Sequence, residues 1–133
     1  HEGRIILTAT PLYAGLLALL FVALSARVIV QRRRAHVSVG DGNDQSLRQK
    51  MRVHANFAEY TPIGLVLLGL TELQGAPYWV VHLLGLMLLT GRLAHAAGMG
   101  ASPQRLSFRV TGMVLTLAMI TLAGLANVFH ALI

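Results

Sequence analysis

The chain of 133 residues contains no cysteine, and charged residues make up only 12% of it. Disulfides, thiolate nucleophiles and Cys-ligated metal sites are therefore excluded within these residues. Acidic residues are scarce as well, with five Asp and Glu against eleven Lys and Arg. Because 55% of the residues are hydrophobic, the chain has too little polar sequence for an ordinary soluble domain of this size. These shortages indicate a protein whose solvent is mostly lipid.

Four apolar windows are each long enough to cross a bilayer, which takes roughly 20 residues of helix. They run over about 5–30, 47–73, 76–98 and 106–132. The first window is free of charge for longer than the core of a signal peptide, so we interpret it as a retained helix. The sequence therefore predicts an all-α fold, a single four-helix transmembrane bundle over 1–133.

The basic residues are distributed unevenly along the chain. Ten of the eleven Lys and Arg lie around the first and third connections between the windows, and the remaining one is Arg4. The positive-inside rule places these connections in the cytoplasm, and both termini and the short turn at 72–76 on the other side. A membrane thus accounts for the net charge of +6, and no nucleic-acid partner is predicted.

The second window carries polar residues inside its predicted membrane span. Arg48, Arg52, Asn56 and Glu59 project within about 80° of one another, because an α-helix advances about 100° per residue. Polar side chains at this depth are costly, and they normally face the bundle interior or a wet cavity. We therefore interpret this polar stripe (Arg48, Arg52, Asn56, Glu59) as one side of a binding site.

Two further pairs of polar residues share a helix face. Arg92 and His95 are three residues apart near the end of the third helix, and Arg105 and Arg109 are four apart at the start of the fourth. Several cations, one carboxylate and one amide at the same end of the bundle suit an acidic ligand that also carries an amine. The histidines lack carboxylate or Cys neighbours at ligand spacing, so no metal site is predicted.

Simpler roles stay open for some polar residues. The run Arg32 to Arg34 suits anionic lipid headgroups, and Arg52 with Glu59 suits a structural ion pair between helices. His82, in the middle of the third helix, suits an interhelical hydrogen bond. Ser46 is a suitable residue to cap the second helix.

Three segments resemble one family of membrane proteins. The run Arg52 to Pro62 has the spacing R-x-x-x-N-x-x-E-Y-x-P, which resembles the helix 2 signature of the membrane-associated proteins in eicosanoid and glutathione metabolism. The segment 91–95 (GRLAH) is similar to the end of helix 3 in the prostaglandin E synthase of that family, and Phe108-Arg109 to the start of its helix 4. The loop at 40–42 and the short length look most like the small bacterial inner-membrane members.

The resemblance implies a four-helix protomer that forms a homotrimer in the inner membrane, with both termini periplasmic. Glutathione, as cosubstrate, would bind toward the cytoplasm between neighbouring protomers. Arg52, Asn56 and Glu59 would hold its charged backbone, His95 would line the pocket, and Arg109 matches the arginine that stabilises the thiolate. The other residues assigned to the glutathione site are Arg92, Arg48 and Arg32.

The activity implied by the resemblance is a glutathione-dependent transferase or peroxidase acting on lipophilic electrophiles at the membrane. A guanidinium near the sulfur favours the thiolate, which is the nucleophile. The lipophilic substrate would arrive from the bilayer, so membrane lipid is the other expected contact.

The sequence departs from the synthase at a few positions. Met99 and Val110 stand where the synthase has a tyrosine and a serine, and the helix 1 arginine has no clean counterpart, which leaves Arg27 or Arg32. A noncatalytic lipid-binding or scaffold protein of the same fold is therefore the alternative. A small multidrug transporter is a weaker one, because Glu59 lies near a helix end rather than at the midplane.

Overall fold

The computed structural model describes residues 6–133, which form four helices and no strand. Their bounds are Thr10–Ala35 for α1, Gln45–Leu73 for α2, Tyr78–Gly100 for α3 and Leu106–Leu132 for α4. The prediction of an all-α, four-helix architecture is confirmed. Helix α1 begins at Thr10, later than the expected start near residue 5, because residues 6–9 are not helical and Pro11 suits the first turn of a helix. Arg4 lies outside the described residues. At its other end α1 passes the expected limit near residue 30, because the residues that follow, Gln31 to Arg34, are good helix formers.

The centre of the bundle is the pair α2 and α3, which a short turn makes antiparallel neighbours. Helix α1 packs against both from one side, and α4 packs against both from the other. Over residues 6–133, α1 and α4 have no contact with each other. We call the end where α1 and α3 finish and α2 and α4 begin the basic end, and the other the opposite end.

The helices have the length and composition of membrane spans, with one qualification for α2. Helices α1, α3 and α4 are long and apolar enough to cross a bilayer. Helix α2 has 29 residues, but its first half carries charge. It nevertheless runs along the whole of α1, because Glu72 near its end contacts Thr8 just before α1 begins. The chain is therefore an integral membrane protein, and the charged residues of its second helix lie at exposed or half-buried positions.

The carboxylate of Glu72 caps the start of α1 at the opposite end. Its Oε2 atom accepts hydrogen bonds from the backbone N–H groups of Thr8 and Ala9, at 3.0 and 2.8 Å. Its Oε1 atom accepts one from the N–H of Thr10 at 2.9 Å. The first N–H groups of a helix have no hydrogen-bond partner within the helix, and the positive end of the helix dipole at the N-terminus favours an anion there. A residue of α2 thus ties down α1.

Helices α3 and α4 approach each other closely at two glycines. A Cβ atom on Gly98 would overlap the backbone nitrogen of Arg109, and one on Gly112 would overlap the backbone nitrogen of His95. Small residues allow such backbone contact between membrane helices, where van der Waals packing drives association. The contact sets the end of α3 against the start of α4, and so sets His95 beside the first turns of α4.

The cap of α2 differs from the sequence prediction. Asp44, and not Ser46, is the N-cap, and its Oδ1 atom accepts a hydrogen bond from the N–H of Leu47 at 3.1 Å. Ser46 lies inside the helix, where its hydroxyl accepts a bond from Lys50 Nζ at 2.7 Å. A carboxylate is favoured over a hydroxyl here because it also complements the helix dipole.

Two polar side chains, His82 and Gln49, form hydrogen bonds between helices, and only the first of these was predicted from the sequence. His82 Nδ1 lies 2.7 Å from the Tyr13 hydroxyl, which confirms the interhelical hydrogen bond predicted for this histidine. Gln49 was not singled out from the sequence. Its Nε2 atom donates to the carbonyl oxygens of Met99 and Ala101, both at 2.6 Å. A side chain of α2 thereby gives hydrogen-bond partners to carbonyl groups at the end of α3, which have none within their own helix.

Candidate functional site

Arg92 is enclosed at the junction of three helices, with 1% of its surface exposed. Its Nη1 atom donates to the side-chain oxygen of Asn56 at 2.7 Å and to the Asn56 carbonyl at 3.3 Å. Its Nε atom donates to Thr116 Oγ1 at 3.1 Å, and Nη2 lies 3.3 Å from Met113 Sδ. The guanidinium thus connects α3 to both α2 and α4.

The charge of Arg92 is accommodated by neutral groups. None of the described carboxylates pairs with it, and oxygens of Asn56 and Thr116 supply its acceptors. The guanidinium carbon also lies 5.7 Å from the centre of the Tyr60 ring, within the range of a cation–π contact. A buried cation needs such partners because its desolvation is costly. Arg92 is consequently buried on the inner side of Asn56, and Asn56 is the more accessible of the two residues.

The hydrogen bond to Arg92 sets the orientation of the Asn56 amide. With its side-chain oxygen accepting from a cation, the NH₂ group is the part of the amide that remains to donate. This assignment of oxygen and nitrogen follows from the hydrogen-bond network, because Arg92 has donors only. Asn56 is half-buried and belongs to the polar stripe of α2. The arrangement therefore presents an oriented amide donor at the edge of that stripe.

Arg52 and Glu59 are exposed on the surface of α2. Within residues 6–133 the one ion pair joins Arg48 to Asp41, so the interhelical pair considered for Arg52 and Glu59 does not form in this chain. The two side chains therefore present one cation and one anion outward, on the same face of a helix that lies within the membrane bundle.

Arg32 and Arg48 hold the loop between α1 and α2. Arg48 Nε donates to Asp41 Oδ2 at 2.7 Å, and Arg32 Nη1 donates to the carbonyl of Gly40 at 2.7 Å. The hydrogen bond from Arg48 keeps the pKa of the Asp41 carboxyl below its ordinary value, and a bond from the backbone N–H of Asn43 adds to this effect. Both arginines have partners in the chain, whereas Arg52 forms no ion pair within residues 6–133.

His95 and Arg109 lie where α3 and α4 meet at the basic end. His95 is 3% exposed, and its backbone abuts Gly112. Arg109 is half-exposed, and its Nη1 atom donates to the side-chain oxygen of Gln104 at 3.1 Å. The backbone of Arg109 is fixed against Gly98, while its guanidinium has a single neutral partner on an exposed residue. The guanidinium can therefore reach a ligand at this end.

The hydrogen bonds thus divide the predicted site residues into groups. Asn56 and Arg92 are joined, Arg32 and Arg48 bind the loop, and Arg52 and Glu59 face outward. Sequence reasoning missed Thr116, which accepts from Arg92 across 24 residues of chain. A signal was present, because Arg109, Gly112 and Thr116 are spaced i, i+3 and i+7 and share a face of α4.

Comparison with known proteins gives the family. The model of the MAPEG family matches residues 10–129 of this chain. The chain belongs to the MAPEG family. Inner membrane protein YecN of Escherichia coli strain K12 is 40% identical to it over 119 residues, which are 90% of this chain and 89% of that protein. The protein of the same name from Escherichia coli O6:H1 strain CFT073 gives the same values. The family resemblance inferred from the residues is confirmed.

In this MAPEG protein the accessible groups on α2 and α4 are chemically complementary to a zwitterionic acid. Arg52 and Arg109 offer guanidinium donors, Glu59 offers a carboxylate, and Asn56 offers an amide. Arginine binds carboxylates through two parallel hydrogen bonds, and a carboxylate binds an ammonium group. The two departures from the synthase pattern are apolar, with Met99 buried and Val110 exposed.

Proposed function

We propose that this MAPEG protein is a glutathione-dependent transferase or peroxidase that acts on lipophilic electrophiles at the membrane. The observation that supports it most directly is the 2.7 Å hydrogen bond from Arg92 to Asn56. That bond orients an amide on the same helix face as Arg52 and Glu59. The site is thereby preorganised, because the buried guanidinium of Arg92 fixes the orientation of the Asn56 amide.

Glutathione carries two carboxylates, one ammonium group and two peptide bonds, and the exposed groups on α2 match these. Arg52 binds a carboxylate, Glu59 binds the ammonium group, and Asn56 donates to a peptide carbonyl. Arg109 lies near the sulfur and lowers the pKa of the thiol, which raises the population of thiolate at neutral pH. The thiolate then forms a bond to an electrophilic centre on the lipophilic substrate, and the group it displaces leaves with the bonding electrons.

The active form is a homotrimer with glutathione bound between protomers. Arg52 and Glu59 are exposed in the single chain. Glu59 is the middle residue of α2 and does not lie near its end as expected, and a charged side chain facing lipid at the centre of a membrane helix costs about 2.5–3.5 kcal/mol on insertion scales. A second copy that covers this face of α2 removes the cost and closes the site. We propose an inner membrane as its location, which the name of the YecN relatives supports, with the basic end in the cytoplasm and both termini periplasmic.

The proposal is tested by binding and turnover in the same detergent preparation. Calorimetric titration of glutathione and of an S-alkylated glutathione is expected to show saturable binding. Arg52→Gln and Glu59→Gln should each weaken it by at least about tenfold, since each removes one charged contact. The matched control is Arg33→Gln, which removes an exposed arginine of α1 outside the assigned site.

Turnover is measured as consumption of glutathione with a panel of lipophilic electrophiles. Arg109→Gln is expected to lower kcat while glutathione still binds, because its role is to stabilise the thiolate. The pH at which half of the bound sulfur is thiolate, followed by its ultraviolet absorbance, should rise in the same variant. Absence of both glutathione binding and thiol consumption in the unmodified protein would overturn the proposal.

A noncatalytic lipid-binding or scaffold protein is the second candidate. Two observations favour it: Met99 and Val110 put apolar groups where the synthase has hydroxyls, and a cleft of about 330 Å³ between α1 and α2 is lined almost wholly by apolar side chains. Saturable lipid binding without glutathione affinity would support this role, whereas Arg109-dependent turnover would reject it. Proton-driven efflux from proteoliposomes, abolished by Glu59→Gln, would instead indicate a transporter.

A further inference from the structure

A second cleft, at the basic end, carries positive charge, and of its cations Arg34 and Lys50 have no part in the proposed reaction. It lies between α1 and α2 and has a volume of about 330 Å³. It begins at Ala26, the residue at which the uncharged part of α1 ends. We call it the basic cleft, and its lining residues are Ala26, Arg27, Val30, Gln31, Arg34 and Lys50.

Three basic residues from two helices line the basic cleft, and the guanidinium of one of them, Arg27, lies beside Gly100 of α3. Arg27 and Arg34 are seven residues apart on α1, so they project within about 20° of each other, and both are exposed. Lys50 comes from α2 and is half-buried, and the hydroxyl of Ser46 holds its Nζ atom at 2.7 Å. An ammonium group has three N–H donors, so Lys50 retains two for a ligand.

The acidic residues of the neighbouring loop have partners of their own, and one of them, Asp44, contacts the cleft wall through Gln31. Asp41 forms its ion pair with Arg48, at 2.7 Å. Asp44 accepts from the backbone N–H of Leu47 as the cap of α2, and its second oxygen accepts from Gln31 at 3.4 Å. Neither carboxylate forms an ion pair with a cation of the basic cleft.

The two remaining acids of residues 6–133 are directed away from the cleft. Glu59 follows Lys50 by nine residues, which turns it by about half a revolution to the other face of α2. Glu72 lies at the opposite end, where it caps α1 through Thr8 and its neighbours. None of the four carboxylate side chains in residues 6–133 thus forms an ion pair with the three cations of the basic cleft.

We propose that the basic cleft binds the phosphate group of an anionic membrane phospholipid. Arg34 donates to the phosphate oxygens through its planar N–H fork, and Lys50 adds a compact charge from the other wall. Arg27, beside Gly100 of α3, adds positive charge to the same cleft. Ala26 and Val30 provide apolar surface for the part of the lipid that continues toward the acyl chains. Basic pockets between membrane helices at the cytoplasmic interface are suited to acidic headgroups.

The depth of the cleft favours a lipid over a soluble phosphate compound. Its first residue, Ala26, ends the charge-free part of α1, so the cleft begins where the hydrocarbon layer gives way to the headgroup layer. A phospholipid in the bilayer already has its phosphate group at that depth and can enter the cleft by diffusing within the membrane, whereas a soluble compound must enter from the water. The inference is independent of the proposed enzyme activity, because neither Arg34 nor Lys50 is assigned to glutathione.

The test is titration of the delipidated, detergent-solubilised protein with phosphatidylglycerol, followed by native mass spectrometry of the protein–lipid complex. The double variant Arg34→Gln/Lys50→Gln is expected to weaken the apparent Kd about 30-fold, since each cation near an anionic headgroup contributes about fivefold. The matched control, Arg33→Gln/Arg105→Gln, removes the same charge from exposed residues at the same end. It should change the Kd by less than about threefold. Equal weakening in both variants would overturn the proposal, because it would show only general attraction.

Three further measurements define the ligand and check the fold. Arg34→Lys/Lys50→Arg keeps the charges and should bind phosphatidylglycerol within about threefold of the unmodified protein. Phosphatidylcholine with the same acyl chains should bind at least about tenfold more weakly, and equal affinity would overturn the role of charge. Glycerol 3-phosphate alone should not bind measurably, and affinity equal to that of the lipid would assign the cleft to a soluble phosphate compound instead.

Glutathione titration separates this inference from the proposed enzyme activity. Arg34→Gln/Lys50→Gln should bind glutathione as the unmodified protein does, because these residues lie outside the assigned glutathione site. If the chain bound phosphatidylglycerol through these residues and never bound glutathione, the lipid site would stand and the proposed function would fail.

Discussion

Arg92 Nη1 lies 2.7 Å from Asn56 Oδ1, and through this hydrogen bond α3 orients a side chain of α2 inside the bundle. The cation has no carboxylate partner among the described residues, so neutral groups, chiefly the oxygens of Asn56 and Thr116, offset the desolvation of the guanidinium. The same bond leaves the Asn56 NH₂ group as the accessible donor. Stability and the proposed binding site therefore depend on one contact.

Asn56→Ala is expected to destabilise the protein by about 1.5–3 kcal/mol, the range for losing a hydrogen bond to a charged buried group. The free energy of unfolding is measured by denaturant titration in detergent, followed by circular dichroism. The control is Thr90→Ala, whose exposed hydroxyl bonds only to the Leu86 carbonyl of its own helix. It should cost less than about 0.5 kcal/mol. A similar decrease in the free energy of unfolding in both variants would show that the hydrogen bond from Arg92 to Asn56 does not stabilise the protein more than an exposed hydrogen bond within one helix.

Gly98→Ala is expected to lower stability by about 1–3 kcal/mol, because a Cβ atom there overlaps the backbone nitrogen of Arg109 and backbone cannot turn aside as a flexible side chain can. The matched control is Gly124→Ala on α4, where a Cβ atom meets nothing within 4 Å. That change should leave stability equal or raise it by up to about 1 kcal/mol, through helix propensity. The stabilities of the two variants are compared by measuring their thermal unfolding under the same conditions. A stable Gly98→Ala protein would contradict the close contact of α3 and α4.

Glu72→Gln is expected to loosen the start of α1. The neutral amide accepts more weakly and no longer complements the helix dipole, a loss of about 1 kcal/mol, or about fivefold faster exchange. Hydrogen–deuterium exchange at the backbone amides of Ala9 and Thr10 measures it directly. Glu59→Gln is the matched control, because Glu59 makes no contact with α1's first turn and should leave those two rates unchanged. Unchanged exchange in Glu72→Gln would mean that the carboxylate does not cap α1 in the membrane.

Arg48→Gln is expected to raise the pKa of Asp41 toward the ordinary carboxyl value of about 3.9. In the unmodified protein the bond from Arg48 holds that pKa below its ordinary value. Because the pKa is lowered on folding, the pair stabilises the loop above the unfolded pKa and stops doing so as the pH falls through the folded pKa. Carbon-13 nuclear magnetic resonance of labelled aspartate side chains follows the titration. Arg33→Gln should leave the Asp41 midpoint in place, and an equal rise there would point to net charge instead of the ion pair.

A large part of the architecture was predictable from the sequence, because the solvent is lipid and the signals are local. Apolar windows predicted four helices, and three of them meet the requirements of a span in length and composition. The polar stripe of α2 followed from a rotation of about 100° per residue, which backbone hydrogen bonds impose on any helix. The family motif around Asn56 and Glu59 pointed to the correct family.

The partners of those polar residues were not predictable in the same way. Ser46 is a residue type that often caps helices, yet Asp44 is the cap of α2. The conformation of the loop before α2 decides which side chain accepts a hydrogen bond from the N–H of Leu47. Nothing local linked Glu72 to Thr8, which is 64 residues earlier in the chain. Thr116 shares a face with Arg109, but only the packing of α4 on α3 brings it to Arg92.

The sequence by itself determined the helices, their order, the end at which positive charge collects and the face on which each polar residue stands. Tertiary structure alone decided that Arg92 is enclosed, that Asn56 is oriented by it and that Arg52 faces outward. The physical reason is range. Helix periodicity depends on hydrogen bonds four residues apart, whereas these contacts depend on how closely whole helices approach, and Gly98 and Gly112 set that approach for α3 and α4.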